Sequence, residues 1–346
     1  MIRFLSHSRR ADLYQRDPSF FYRCQNLADA LARRGLEAKC HHRTNLEKDG
    51  AADVLVFHRP RATWSWRRWR KRVASTSGRH SVAEVDDLVF DPFMAAHSPA
   101  VRNRHKTLWG TRRLFAGTHA ALASFKRIST STEPLAEHIR RCFPGVETEV
   151  FPNCVPGSWR NLPIPPQAPH SLALTYFPGT RGHNADFAMI TGPVRQFLLE
   201  HPDWHLLVAG PLDVKLDVPP HQVRRLERVD FDRYHEIVQS GTINLAPLEN
   251  SPFNRCKSAL KIMEAGFFGI PTVASPIPDA QRFSGEGVKF ATTASEWLDA
   301  LRRLASGHPY AMPWRERLRE RILLNASIEK EAARWISWLK GPGVLR

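Results

Sequence analysis

Lys257, Lys261 and Glu264 stand at i, i+4 and i+7. On a helix that spacing sets two ammonium groups and one carboxylate along a single face, with Leu260, Ile262 and Met263 directed elsewhere. Ser258, an N-cap residue type, starts the predicted helix, and Gly266 or Gly269 ends it ahead of a short buried strand over 270–274. The polar face would then open near a helix N-terminus, where free N–H groups and the positive end of the dipole favour anions. Lys257 adds a point charge suited to a diphosphate, and Glu264 is an acceptor suited to the paired hydroxyls of a ribose. Spacing alone is equally met by a solvated helix face carrying a Lys–Glu pair.

Two further stretches hold residues of the same chemical type. In Tyr176-Phe177-Pro178-Gly179-Thr180-Arg181-Gly182-His183, a strand runs into a glycine turn that lets backbone approach a phosphate, with Asp186 available to cap the helix that follows. Near the middle of the first half, Glu84-Val85-Asp86-Asp87 places carboxylates at the C-terminal end of a predicted strand, where open α/β sheets bind ligands. Asp86 or Asp87 there would orient an acceptor hydroxyl or assist its deprotonation, or else cap the next element. His58 and Arg59 close a neighbouring strand on the same side, as acceptor-site candidates or as solvated loop residues.

The stretch Glu264-Ala265-Gly266 followed by Gly269-Ile270-Pro271-Thr272-Val273-Ala274-Ser275 resembles the donor-binding signature of retaining GT-B glycosyltransferases of the large family 4. The Gly179-Thr180 loop, with its His183 and Asp186-Phe187, is similar to the loop that opens the second domain in that family. The resemblance implies two Rossmann-like domains facing across a cleft, with a terminal helix crossing back onto the first. It further implies transfer of a sugar from a nucleotide-diphosphate donor to a glycan or lipid-linked acceptor, as in cell-surface polysaccharide or glycolipid synthesis, with retention, no metal and no cofactor. Carried over residue by residue, Lys257 and Glu264 take catalytic roles, and Gly179, Thr180, Arg181, His183, Asn254, Ser258 and Lys261 hold the donor, while Asp87 joins the catalytic set from its strand-end position alone. His58, Arg59 and Asp86 fall to the acceptor. One departure stands out: the second acidic residue of the family's signature, eight positions before the ribose Glu, is Cys256 here, leaving Asn254 or Glu249 as substitutes. A rival reading takes Glu84 and Asp86 as a metal-binding acidic pair, against which Lys257 already supplies positive charge.

These side chains need a scaffold of alternating strands and helices. Strands are predicted at 2–6, 36–40, 53–57, 82–85, 127–129 and 147–151, with helical segments between them, including one that starts at the Asp17-Pro18 pair. Residues 156–170 contain five prolines and little periodicity, which marks a linker. Alternation then resumes through strands at 172–177, 205–209, 242–247 and 271–274, and helices at 295–304 and 328–339. The chain thus divides into an acceptor domain over 1–158, a donor domain over 171–326 and a crossing helix and tail over 327–346.

Composition narrows the partners. A net charge of +16 is concentrated early, with no Asp or Glu between Asp53 and Glu84 or between Asp91 and Glu133. The five scattered cysteines have neither Cys-x-x-Cys pairing nor metal-ligand spacing and read as reduced thiols. No apolar run is long enough to span a bilayer, and the start of the chain lacks a signal-peptide core, so a cytoplasmic protein, peripheral on the inner face of the plasma membrane, is expected. Trp66, Arg67, Arg68, Trp69, Arg70, Lys71 and Arg72 fit a helix lying in an anionic membrane surface. The same segment also suits a core-facing helix or nucleic-acid contacts, and a basic nucleic-acid-binding protein is the alternative from another class, with an epimerase or phosphorylase of the same fold as a third.

Overall fold

A computed structural model describes residues 1–8, 11–48, 52–63, 66, 80–166, 172–227, 229–307 and 311–340. Strands β1 (Ile2–Ser6), β2 (Ala38–His42), β3 (Val54–His58), β4 (His80–Val85), β5 (Arg127–Thr130) and β6 (Glu147–Val150) form one sheet in the order β2-β1-β3-β4-β5-β6. A second sheet contains β7 (Leu172–Tyr176), β8 (Trp204–Ala209), β9 (Val223–Leu226), β10 (Ile243–Ala246), β11 (Thr272–Ala274) and β12 (Val288–Phe290), ordered β12-β11-β10-β7-β8-β9. Every pairing between these strands is parallel.

Parallel strands need crossovers, so both faces of each sheet are covered and the central strands are largely apolar and buried. Val54–His58 is buried at every position, as is Ile243–Ala246. Chain order reverses beside β1 in the first sheet and beside β7 in the second, and crevices at such reversals are where open sheets of this kind bind ligands.

The final helix, Ile328–Leu339, leaves the second lobe and packs Ile328, Ala332, Trp335 and Leu339 into the core around Ile2, Phe4, Leu27 and Leu31 of the first. The preceding helix, Met312–Asn325, stays with the second lobe through Leu318 and Ile322. The architecture is therefore the two-sheet α/β arrangement with a returning terminal helix that the sequence leads one to expect. Among the described residues no helix is long and apolar enough to cross a membrane.

The lobes also meet directly. A π-helical turn at Phe21–Gln25 presses Phe21 and Tyr22 against Phe231, with ring centroids 4.4 and 5.4 Å apart. Nearer the mouth, Arg102 pairs with Glu249 at 2.9 Å and Asn103 Nδ2 donates to the Gly182 carbonyl at 2.9 Å.

Candidate functional site

Between the lobes lie two adjoining cavities, of about 230 and about 640 Å³, that share Asp87, His183 and Lys257 in their walls. Their walls come from the C-terminal ends of β3 and β4 in the first sheet and of β7, β10 and β11 in the second, and of these β3, β7 and β10 border the two reversals.

The signature segment differs locally from its sequence-based expectation. The helix runs Leu260–Phe267, so it starts after Ser258, and Lys257 sits before it in extended conformation (φ −74°, ψ 151°) following a tight turn at Asn254–Cys256. The reason is Asp279, whose Oδ2 accepts the Ala259 N–H at 2.7 Å and the Ser258 hydroxyl at 3.2 Å. A protein carboxylate thereby takes the place at the helix entrance that had been expected for a ligand anion. Lys257, Ser258 and Lys261 nonetheless all line the smaller cavity. Burial depresses the Lys261 ammonium, which Glu264 partly offsets. The helix ends as anticipated at glycine: Gly269 has φ +67°, and a Cβ there would come within 2.5 Å of Arg315 Cβ.

Glu264 faces the lobe interface but lines neither cavity. Its Oε1 accepts the Tyr22 hydroxyl at 2.6 Å and its Oε2 the Tyr234 hydroxyl at 3.0 Å. Burial pushes its carboxyl up, opposed by those two phenols and Lys261.

The loop after β7 carries Gly179, Thr180 and His183. All three line the larger cavity, and His183 the smaller as well. A Cβ on Gly179 would meet nothing within 4 Å, so this glycine leaves open space at the wall. The Arg181 side chain lies outside the described residues. His183 Nδ1 is 2.9 Å from Asp186 Oδ2, and burial holds the imidazole down at about 4, so it is neutral with its Nδ1–H given to the carboxylate. Nε2 is then the acceptor nitrogen.

Asp186, expected from sequence as a cap for its helix, instead spends its carboxylate on His183 and on the loop after β10, which sequence reasoning missed. Besides His183 it accepts the Glu249 N–H at 2.9 Å and Asn254 Nδ2 at 3.0 Å, tying the loops after β7 and β10 together. Two expectations are corrected by that network. Asn254 is buried against Asp186 and lines neither cavity, and Glu249 spends its carboxylate on Arg102, so neither stands in for the missing acid. Cys256 is buried with Phe253 in the core of the first lobe, its thiol pushed up to about 12 by burial, and offers no charge to a sugar.

On the first lobe, Asp86 and Arg59 line the smaller cavity and Asp87 lines both. Arg59, a non-glycine residue at φ 46°, donates Nε to Asp86 Oδ1 at 2.5 Å. Ser19, on the turn that Asp17 caps, donates its hydroxyl to Asp86 Oδ2 at 2.6 Å and lies 2.9 Å from His58 Nε2. Burial alone would raise the Asp86 carboxyl, but Arg59, His58 and Ser19 hold it well below the usual carboxylate range. His58 is lowered to about 3 by burial and is neutral. It stands behind Ser19 and outside the cavity, which corrects its assignment as a direct acceptor contact. Ser19 and Tyr22 are wall residues that nothing in their sequence neighbourhood announced.

The metal-pair reading of Glu84 and Asp86 does not fit. Glu84 is buried and committed to Arg23 Nε at 2.7 Å and to the Ser129 hydroxyl, while Asp86 is committed to Arg59 and Ser19. Among the described residues no cluster of three or more His, Cys, Asp or Glu has metal-binding geometry.

The Arg–Trp segment is described only at Trp66. That indole is 4% exposed and packs on His7 and Phe57, at 5.3 and 6.2 Å between ring centroids, so it belongs to the core and not to a membrane-facing stripe. Arg67, Arg68, Trp69, Arg70, Lys71 and Arg72 lie outside the described residues.

Two facing Rossmann-like lobes, a cleft at their strand ends and a helix that returns from the second to the first define the GT-B fold. Solved structures agree over nearly the whole chain. A sucrose-phosphate synthase from Thermosynechococcus elongatus is similar with TM-score 0.63 at 13% identity, covering 98% of each chain. WaaG, a glycosyltransferase involved in lipopolysaccharide biosynthesis, gives 0.61 at 12% identity, over 99% of this chain and 100% of that one. The trehalose-6-phosphate synthase OtsA gives 0.57 at 14% identity, over 84% and 72%. No family model matches the chain, and no curated protein matches it by sequence.

Proposed function

We propose that this chain is a glycosyltransferase that moves a sugar from a nucleotide-diphosphate donor to a glycan or lipid-linked acceptor hydroxyl. One observation carries the reading: Lys257, Lys261 and His183 from the second lobe and Arg59, Asp86 and Asp87 from the first converge on one interlobe cavity. Lysines on one wall and carboxylates on the other, with Arg59 spent on Asp86, match a reaction that generates a departing diphosphate and consumes a hydroxyl proton.

In this mechanism the bond from the anomeric carbon to the diphosphate oxygen breaks, and the leaving group takes the electron pair. Lys257 and Lys261 meet the charge as it develops, and neutral His183 presents Nε2 to a donor hydroxyl. The acceptor oxygen forms the new bond to the anomeric carbon. Its proton passes to Asp87, because Asp86 is saturated by Arg59 and Ser19 and holds the acceptor wall in shape. Glu264 takes the ribose hydroxyls once Tyr22 gives way. Retention of configuration and independence from a divalent cation complete the proposal, supported by the family-like signature and by the lysines already placed at the cavity.

The test is to incubate the protein with UDP-, GDP-, CDP- and dTDP-sugars and follow thermal unfolding and release of nucleoside diphosphate. At least one donor class raises the midpoint, since a ligand of the native state stabilises it. If none protects and none is turned over in EDTA, with manganese or with magnesium, the proposal is wrong.

A further inference from the structure

The helix Leu108–Leu122 has two faces of opposite character. Its inner face buries Phe115, Thr118 and Leu122, and contributes Thr111, Leu114 and Phe115 to the wall of the larger cavity. The outer face carries Trp109, Arg112, Arg113, Ala116 and Ala120, all exposed and spaced along one helical stripe. The turn Pro92–His97 packs against this helix. Phe93 on that turn is 83% exposed and Trp109 is 71% exposed, more than any other large hydrophobic side chain among the described residues.

Single exposed apolar residues are ordinary on a protein surface, so the argument rests on what surrounds these two. Arg104, Lys106, Arg112 and Arg113 are all exposed in the same stretch, and no Asp or Glu occurs from residue 92 to residue 132. Arg113 lies over the Trp109 ring at 5.7 Å from its centroid. An apolar protein partner would use the rings and leave the cations unanswered. A nucleic-acid duplex would use the cations but keeps its bases stacked on one another and gives a protruding phenylalanine no apolar phase to enter. A bilayer with anionic headgroups uses both, the rings at headgroup depth and the cations on the phosphates.

We infer that the Pro92–His97 turn and the outer face of Leu108–Leu122 dock the protein on an anionic phospholipid surface. The larger cavity then opens on the other side of the docked helix, within reach of an acceptor anchored in that bilayer. Docking stands on the surface itself; only the membrane-anchored acceptor rests on the glycosyl-transfer proposal.

Flotation with vesicles separates the outcomes. The full-length protein should bind vesicles of phosphatidylcholine mixed with phosphatidylglycerol, bind pure phosphatidylcholine weakly, and dissociate as salt rises. Phe93→Ala with Trp109→Ala, and Arg112→Glu with Arg113→Glu, should each lower anionic-vesicle binding by about tenfold or more, with unchanged circular dichroism and thermal midpoint. Undiminished vesicle binding by both double variants overturns the inference, as does absence of vesicle binding by the unaltered protein. Salt-sensitive binding to duplex DNA without vesicle binding overturns it in favour of a nucleic-acid surface. Protection of the same preparations by UDP, GDP, CDP and dTDP against thermal unfolding is read in parallel, so loss of the docking surface and absence of the donor site are told apart.

Discussion

Tyr22 of the first lobe donates its hydroxyl to Glu264 of the second at 2.6 Å, in a contact buried from solvent and spanning 242 positions of sequence. Tyr22 also lines the smaller cavity, so this phenol stands between the cavity and the carboxylate proposed for ribose. Tyr234 holds the other oxygen from within the second lobe, which keeps Glu264 oriented whether or not Tyr22 is engaged. Under the proposed function the pair is a latch that a donor would have to displace.

Tyr22→Phe tests the latch. Removing one donor from a buried carboxylate costs about 1–3 kcal/mol of stability, read by urea unfolding. Nucleoside diphosphate should bind at least as tightly as before, since its competitor for Glu264 is gone. Binding weakened tenfold or more in calorimetry would make Tyr22 a donor ligand and discard the latch.

Lys257 and Lys261 are separated by a helix start, yet both reach the cavity. If they answer the charge on a leaving diphosphate, Lys257→Ala and Lys261→Met each lower kcat by roughly a hundredfold, the scale set by loss of a preorganised charge-stabilising group. The thermal midpoint of the unliganded protein should move little, because neither lysine is placed in a core. Single-turnover rates within a few-fold of the unaltered protein would remove the proposed role.

Much of the scaffold can be read from sequence, and the reasons are local. Buried parallel strands such as Val54–His58 and Ile243–Ala246 are short apolar runs closed by turn residues, and Ile328–Leu339 shows its apolar stripe plainly. By contrast β9 is Val-Arg-Arg-Leu at a sheet edge and β12 has three residues, so neither carries a strand pattern apart from the neighbour it pairs with. At the site, Lys257, Lys261, His183, Arg59, Asp86 and Asp87 stood out by type and position. Ser19, Tyr22 and Asp186 act through partners 67, 242 and 68 positions away, which no spacing reveals. The displaced helix start has the same origin, since Asp279 reaches back 20 residues to cap Ala259.

The proposed mechanism gives the neighbours Asp86 and Asp87 different duties. Asp86 is bound by Arg59 and Ser19, so Asp86→Asn leaves a guanidinium without its counter-charge and lowers stability by about 1.5–3 kcal/mol, the range for hydrogen bonds to charged groups. Asp87→Asn should leave stability nearly unchanged and lower turnover by about 10²–10⁴, as expected when a proton acceptor is lost. Paired denaturation and rate measurements on both variants decide it, and a stable, inactive Asp86→Asn beside an active Asp87→Asn would exchange the two roles.

Acid should unfold this protein through its buried imidazoles. His58 and His183 are held down by burial to about 3 and about 4, from an ordinary value of 6.5. Between 6.5 and 4 the unfolded chain therefore binds protons at these positions that the folded chain refuses. Stability is full above 6.5 and falls as pH drops below it, by up to about 1.4 kcal/mol per pH unit for each imidazole. Glu84 and Glu264 work the other way, because burial raises their carboxyls and the folded state binds those protons more readily, which offsets part of the loss on the acid side. Urea unfolding at pH 7, 6 and 5, all on the order of the physiological range, should show stability declining across the series. His183→Gln should flatten that decline by about one proton. A pH profile that His183→Gln leaves unchanged would mean that this imidazole already carries its proton in the folded protein, and the neutral His183 of the proposed mechanism would have to be abandoned.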